Sequence, residues 1–174
     1  MPPELRIWTT GHSTRSLAEF LDLLAANRIE ALADVRQYPA SRRFPHFNGG
    51  ALSQSLAQTG IEYVSLPELG GRRKSRPDSH NTAWRNESFR GYADYMETAE
   101  FQAGMERLLG VARAKRTAIM CSEALWWRCH RALISDYLKA AGITVEHILG
   151  MNKSEVHPYT SAAQIKDGKL SYTK

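Results

Sequence analysis

No stretch of the sequence stays apolar long enough to cross a bilayer, and the opening MPPELRIWTTGHS holds no hydrophobic run of signal-peptide length. These absences lead to the expectation of a cytoplasmic protein without membrane contact. Cysteine is nearly absent: of 174 residues two are cysteines, Cys121 and Cys129, which excludes a disulfide-stapled scaffold. In a reducing compartment the pair reads as free thiols or ligands rather than a bridge. Internal repeats and low-complexity tracts are missing too, so a stacked-repeat architecture has no basis. Lysine is scarce: the net charge of +5 rests on 16 arginines against 7 lysines. Arginine suits planar, bidentate recognition of phosphate or carboxylate. The same bias also follows from genome base composition, so placement has to decide.

What is present fits one ordinary domain over residues 1–174, with 43% hydrophobic and 24% charged residues and enough length to bury a core. Apolar runs alternate with helical patterns. LRIWTT reads as a strand, followed by a helix whose Ser16 and Glu19 form a capping box and whose Leu17, Phe20, Leu21 and Leu24 share a face. EALADVR is a second strand ending near Arg36. Leu52 and Leu56 mark a short helix that Gly60 can end, and IEYVSL is a third strand. Phe101, Met105, Leu108 and Leu109 have helical spacing. Then come strand TAIMC, a helix over about 129–141, and strand ITVEHIL. This order predicts an α/β fold, three-layered and Rossmann-like, with a mainly parallel sheet of about five strands.

Two segments interrupt the alternation. Residues 67–89 form a long, polar, basic loop without hydrophobic period, of the kind that is functional or disordered. The C-terminal extension, residues 151–174, carries Asp167-Gly168 as a turn signal and is expected to form a small hairpin closing the domain.

Chemistry-bearing residues gather after the strands, where open parallel sheets bind ligands. Gly11-His12-Ser13-Thr14 follows the first strand, and Arg36, Arg42, Arg43 and His46 follow the second. Glu68-Leu69-Gly70-Gly71-Arg72-Arg73 follows the third, and CSEALWWRCHR the fourth. The opposite edge carries plainer connections, AANRIEA and AAGITVE. His12, Glu123, Cys121 and Cys129 are therefore the candidate catalytic residues, and Arg36, Arg42, His130 and Arg131 the candidate substrate-binding ones. Asp34 precedes Arg36 by two positions, so both point to one side of the strand and can pair. Cys129, His130 and Arg131 fall at a helix start, where free N–H groups favour anions and lower a thiol pKa. Arg131 faces either a bound phosphate or Glu123, and Trp126 and Trp127 either cover the site or shield the helix start.

Several readings of the cysteines stay open. A phosphatase-like loop needs a glycine-lined cradle between cysteine and arginine, and none lies between Cys121 and Arg128. A metal site using Cys121, Cys129, His130 and His12 or His46 lacks the paired-ligand spacing of zinc sites, so no metal ligand is assigned. Both thiols also suit simple packing.

Gly11-His12-Ser13, Asp34-Val35-Arg36 with Pro39 and Ser41, Leu69-Gly70-Gly71, Cys121-x-Glu123 through Cys129-His130-Arg131, and His157-Pro158-Tyr159-Thr160 together resemble the bacterial and archaeal domain-of-unknown-function family 488. The resemblance spans nearly the whole chain. It implies a single α/β domain of Rossmann-like character and supplies no activity, cofactor or substrate. Three functional readings follow: an enzyme acting on a small anionic substrate, plausible as a nucleotide or phosphorylated metabolite; a nucleic-acid-binding module using GRRKSR with Trp84, Phe89, Tyr92 and Trp126; and a regulatory domain without turnover. Nothing in the sequence specifies a cofactor or an oligomeric state.

Overall fold

The computed structural model describes residues 4–174. Its main sheet is built from β1 (Arg6–Gly11), β2 (Ala31–Asp34), β3 (Glu62–Ser65), β4 (Thr117–Cys121), β5 (Thr144–Gly150) and β6 (Lys153–Val156). The strand order is β3-β2-β4-β1-β5-β6, and all neighbours are parallel except β5 and β6. A separate antiparallel hairpin joins β7 (Gln164–Lys166) to β8 (Lys169–Ser171), turning at Asp167 and Gly168 with φ of 51° and 76°. Positive φ at both turn positions is what a two-residue hairpin with right-handed strand twist demands.

Strand alternation decides what each sheet face buries. Trp8, Leu32, Ala118, Met120 and Ile148 pack with Phe20, Leu23 and Leu24 of α1 (Leu17–Ala26) and with Leu52 and Leu56 of α2 (Gly49–Gln58). On the other face, Ile7, Ala33, Ile119, Cys121 and Val145 pack against α3 (Glu87–Tyr95), α4 (Ala99–Ala114) and α5 (Arg131–Ala140). The result is three layers around a mainly parallel sheet, the α/β architecture the alternation predicts. Helix α1 starts on the expected capping box, with Ser16 and Glu19 each bonded to the other's backbone N–H. Gly60, at φ 78°, follows the end of α2.

Three details differ from the sequence reading. The sheet has six strands, because β6 adds along β5 through a bulge; its four residues KSEV are all exposed and give no alternating pattern. Helix α3 lies partly inside the expected long loop. Its buried face is largely aromatic, with Phe89, Tyr92 and Ala93 at helical spacing and Tyr92 and Tyr95 donating hydroxyls to the carbonyls of Leu69 and Glu68 at 2.7 and 2.5 Å. Helix α5 begins at Arg131, two residues later than expected. Cys129 keeps an extended backbone, with φ −139° and ψ 172°, as the chain leaves a single 3-10 turn at Trp126–Arg128.

Candidate functional site

A cavity of about 440 Å³ opens at the carboxyl ends of β1, β2 and β4 and at the start of α5. Pairing between the β1 and β4 strands continues beyond their ends: His12 N–H donates to the Cys121 carbonyl and Ser13 N–H to that of Ser122, both at 3.0 Å. This draws the loop after β4 onto the chain at Gly11. A Cβ at Gly11 would lie 1.8 Å from the Glu123 carbonyl oxygen, so glycine is the residue that permits the approach. Gly71 does the same on the opposite wall, where a Cβ would come within 2.8 Å of Nδ1 of His130.

The two thiols meet on this cleft. Their sulfurs are 2.9 Å apart, with Cys121 buried at the end of β4 and Cys129 half-exposed before α5. Arg131 touches both: its backbone N–H donates to the Cys129 sulfur at 3.3 Å and its Nε–H to the Cys121 sulfur at 3.0 Å. Burial pushes the Cys129 thiol up. The hydrogen bond with Cys121, together with the charge and amide of Arg131, outweighs that and brings it down to about 6. Cys121 moves the other way, raised by burial, by that same hydrogen bond and by the charge on Cys129. The pair thus holds one proton between two sulfurs, with the negative charge on the sulfur nearer solvent.

Arg131 itself is 1% exposed and lies beneath the cleft rather than on it. Its Nη2 donates to the carbonyl oxygens of Glu123 and Ala124 at 2.6 and 3.2 Å, and its Nη1 to the Thr9 hydroxyl at 3.0 Å. Its partner at Glu123 is therefore the backbone, not the carboxylate. From Thr9 the chain of hydrogen bonds continues to His147 Nδ1 at 2.5 Å, from His147 Nε2 to His157 Nδ1 at 2.8 Å, and from His157 Nε2 to Asp136 at 2.8 Å. Asp136 also accepts from the Thr160 N–H, the Thr160 hydroxyl and the Tyr172 hydroxyl. One proton order that fills every link runs from Thr9 to His147, from His147 to His157 and from His157 to Asp136, the guanidinium only donating at one end and the carboxylate only accepting at the other. Burial, then the neighbouring His157 and Arg131, drives His147 down to about 2, in keeping with a neutral ring. Trp126 stacks on His147 with ring centres 4.5 Å apart and planes 6° apart, which places this tryptophan in the relay's wall. The charge that favours the Arg131 guanidinium comes from the two sulfurs it touches, and the relay links it through Thr9 to the buried Asp136.

A second cluster forms the other side of the cleft. Arg36 pairs with Asp34 through Nε at 2.8 Å and Nη2 at 2.7 Å, and also bonds the Phe47 carbonyl. Tyr63 donates to the same aspartate at 2.6 Å. His12 stacks on Phe47, bonds the Ser13 carbonyl through Nδ1 at 2.9 Å and turns Nε2 toward Arg36 Nη1 at 3.5 Å. Burial lowers its pKa, so the ring is neutral and Nε2 carries a lone pair. His130 bonds the Val35 carbonyl through Nε2 at 2.9 Å and is likewise lowered, chiefly by burial.

Of the expected site residues, His12, Arg36, Cys121, Glu123, Cys129 and His130 line one cavity. Arg131 lies under it, and Arg42 does not line it. Arg72 and Arg128 do line it, and neither side chain has a hydrogen-bond or ion-pair partner among the described residues. The sequence places Arg72 in the basic loop after the third strand and weighs Arg128 only as the arginine of a phosphatase-like loop; its position within CSEALWWRCHR was the available signal. Thr9, Asp136 and His147 are not singled out by the sequence, and His157 enters only through the motif His157-Pro158-Tyr159-Thr160. The basic loop is tied down: Arg73 stacks over Tyr95 at 3.7 Å, and Arg76 faces Glu97, Asp94 and Asp78. Two of the four aromatics considered for base stacking, Tyr92 and Trp126, are buried. No group of three or more His, Cys, Asp or Glu side chains among the described residues is placed to hold a metal ion, and none of their helices is long and apolar enough to cross a membrane.

Fold and cleft together define a Rossmann-like α/β protein with paired thiols at the strand ends. Residues 16–138 match the family described as domain of unknown function DUF488, and since the match covers most of the chain, the chain belongs to that family. The matched span includes Arg36, Cys121, Glu123, Cys129, His130 and Arg131, and leaves His12 and His157 outside. No curated protein and no solved structure matches the chain.

Proposed function

We propose that the chain is a thiol-dependent enzyme acting on a small anionic substrate at this cleft. The observation that carries the reading is an acidified thiol, Cys129, on a cavity that also holds two unpartnered arginines, Arg72 and Arg128. These two meet the substrate's charge, while Arg36 and Arg131, already compensated by Asp34 and by the paired sulfurs, hold the cleft's shape and electrostatics. The Cys129 thiolate gives its electron pair to an electrophilic atom of the substrate. Glu123 and the Nε2 lone pair of His12 are the proton acceptors on the same cavity. A small-molecule site is favoured over nucleic-acid binding because two cations of the basic loop, Arg73 and Arg76, are engaged by Tyr95, Glu97 and Asp94, and a third, Arg72, lines the cleft.

Paired alkylating agents test this reading. Iodoacetate carries the charge that the cleft is built to receive and iodoacetamide does not. Cys129 should show a preference for iodoacetate relative to a free thiol, and Arg72→Ala with Arg128→Ala should abolish it. Inorganic phosphate should protect. Equal relative rates for the two reagents, without phosphate protection, would remove the anionic substrate from the proposal.

A further inference from the structure

The proposed chemistry uses one sulfur as nucleophile and gives Cys121 only a hydrogen bond to it. We propose that the cleft reacts with a peroxide through both thiols, Cys129 being oxidised first and Cys121 closing a reversible disulfide with it. This rests on reading Cys129 as the reactive thiolate. The geometry is the 2.9 Å contact between the sulfurs, with nothing between them and the cavity open on the Cys129 side. A disulfide bond is about 2.05 Å long, so closure asks for less than about 1 Å of approach. Cys121 is fixed in β4, where it pairs with Gly11. Cys129 sits in extended backbone between a single 3-10 turn and α5, the part of the pair that can give.

The steps balance. In the first, the Cys129 thiolate attacks one oxygen of the peroxide and the O–O bond breaks. Sulfur is oxidised by two electrons to a sulfenic acid, and the other oxygen leaves with the bonding pair and takes a proton to become water or an alcohol. In the second, the Cys121 thiolate attacks the Cys129 sulfur, the S–S bond forms, the S–O bond breaks, and hydroxide leaves and is protonated to water. Two thiols and one peroxide give one disulfide, one alcohol or water, and one further water. A dithiol reductant reverses it.

Arg131 couples the two steps. Its guanidinium donates to Cys121 and its backbone N–H to Cys129, so one residue supports each sulfur in turn as the thiolate. The charge on Cys129 is one of the influences that keep Cys121 protonated. Conversion of Cys129 to a neutral sulfenic acid removes it and leaves Arg131 to favour the second thiolate. Cys121 is 3% exposed, so the peroxide meets Cys129 first. In a reducing compartment a bond of this kind is transient, and its effect is to switch off the Cys129 nucleophile.

The experiment treats the full-length chain with one equivalent of hydrogen peroxide, traps sulfenic acid with dimedone and maps the peptides by mass. The wild type should lose two hydrogens, yield a peptide pair linked through Cys121 and Cys129, take up no dimedone, and recover both thiols with dithiothreitol. Cys121→Ser and Cys121→Ala should carry dimedone on Cys129, and Cys129→Ser should leave Cys121 unoxidised. Wild-type chain that accumulates dimedone adduct or sulfinic acid on Cys129 as fast as Cys121→Ser, with no linked peptide, overturns the proposal. The wild-type measurement decides alone if a variant does not fold. Iodoacetate uptake at Cys129, measured in parallel, separates the two readings: rapid alkylation without a link defeats the disulfide and spares the nucleophile, and a link without rapid alkylation does the reverse.

Discussion

Asp136→Asn is the substitution that most directly probes the buried carboxylate at the far end of the hydrogen-bond chain from Arg131. Asp136 and His157 are both inaccessible to solvent, and the carboxylate receives one bond each from His157 and Tyr172 and two from Thr160. The asparagine can be accommodated sterically. Its oxygen replaces Oδ1, which faces two N–H donors, and its NH₂ replaces Oδ2, which faces two hydroxyls able to rotate and accept. What disappears is the negative charge. Hydrogen bonds to a charged acceptor are worth about 1.5–3 kcal/mol and neutral ones about 0.5–1.5, so four such bonds lose roughly 4 kcal/mol together. For a chain of this size the midpoint should fall by about 8–16 °C, at roughly 2–4 °C per kcal/mol. Tyr172→Phe removes one donor and keeps the charge, and should cost about 1–2 kcal/mol. Urea and thermal unfolding of both variants give the comparison. If Asp136→Asn costs no more than Tyr172→Phe, the carboxylate's charge does not strengthen its four hydrogen bonds and the network is merely packing.

The remaining predictions concern the same network and its cleft. Alkylation of Cys129 by iodoacetamide should rise with pH through an inflection near 6, below the ordinary thiol value of about 8.5, and an inflection at or above 8.5 would refute the acidified thiol. Folded His147 stays neutral while the unfolded chain binds its proton below 6.5, so the contribution is complete above pH 6.5 and drains away as pH falls toward about 2. Each pH unit in that window should remove about 1.4 kcal/mol, measured as urea midpoints, and His147→Phe should flatten part of the slope. Gly11→Ala sets a methyl 1.8 Å from the Glu123 carbonyl oxygen and should destabilise by about 3 kcal/mol or more, while Gly110→Ala, where a methyl meets nothing within 4 Å, should be harmless in the same unfolding assay.

The layers of this fold were legible because their signals are local. Ser16 and Glu19 specify a helix start within four residues, Gly60 ends a helix by its own φ, and Asp167-Gly168 turns a hairpin by theirs. Asp34 and Arg36 are near enough in sequence for strand geometry to place them side by side, and the structure shows them bonded at 2.7 and 2.8 Å. Helix α3 was not singled out because its apolar face is short, carried by Phe89, Tyr92 and Ala93 among polar residues, and its tyrosines are held by backbone carbonyls. Strand β6 was not legible because an edge strand with every side chain in solvent has no face to pattern.

The site divides along the same line. That His12, Arg36, Glu123 and Cys129 follow strand ends could be read from element order, because a parallel sheet sends such residues to one edge. What Arg131 does there could not. Its task depends on Thr9, His147, His157 and Asp136, drawn from β1, β5, the tail and α5, and no sequence pattern links them before the sheet is assembled. One signal was present: Asp136 shares the buried side of α5 with Leu133 and Ala132, and a carboxylate in that setting needs donors. Four donors reach it, and the hydrogen-bond chain behind them ends at the guanidinium beside the thiols. A proton cannot be drawn along that chain from the cleft, since guanidinium does not release one. The relay therefore fixes groups in place rather than carrying protons from the cleft, and on the proposed reading proton transfer falls to the groups that face it, Glu123 and His12.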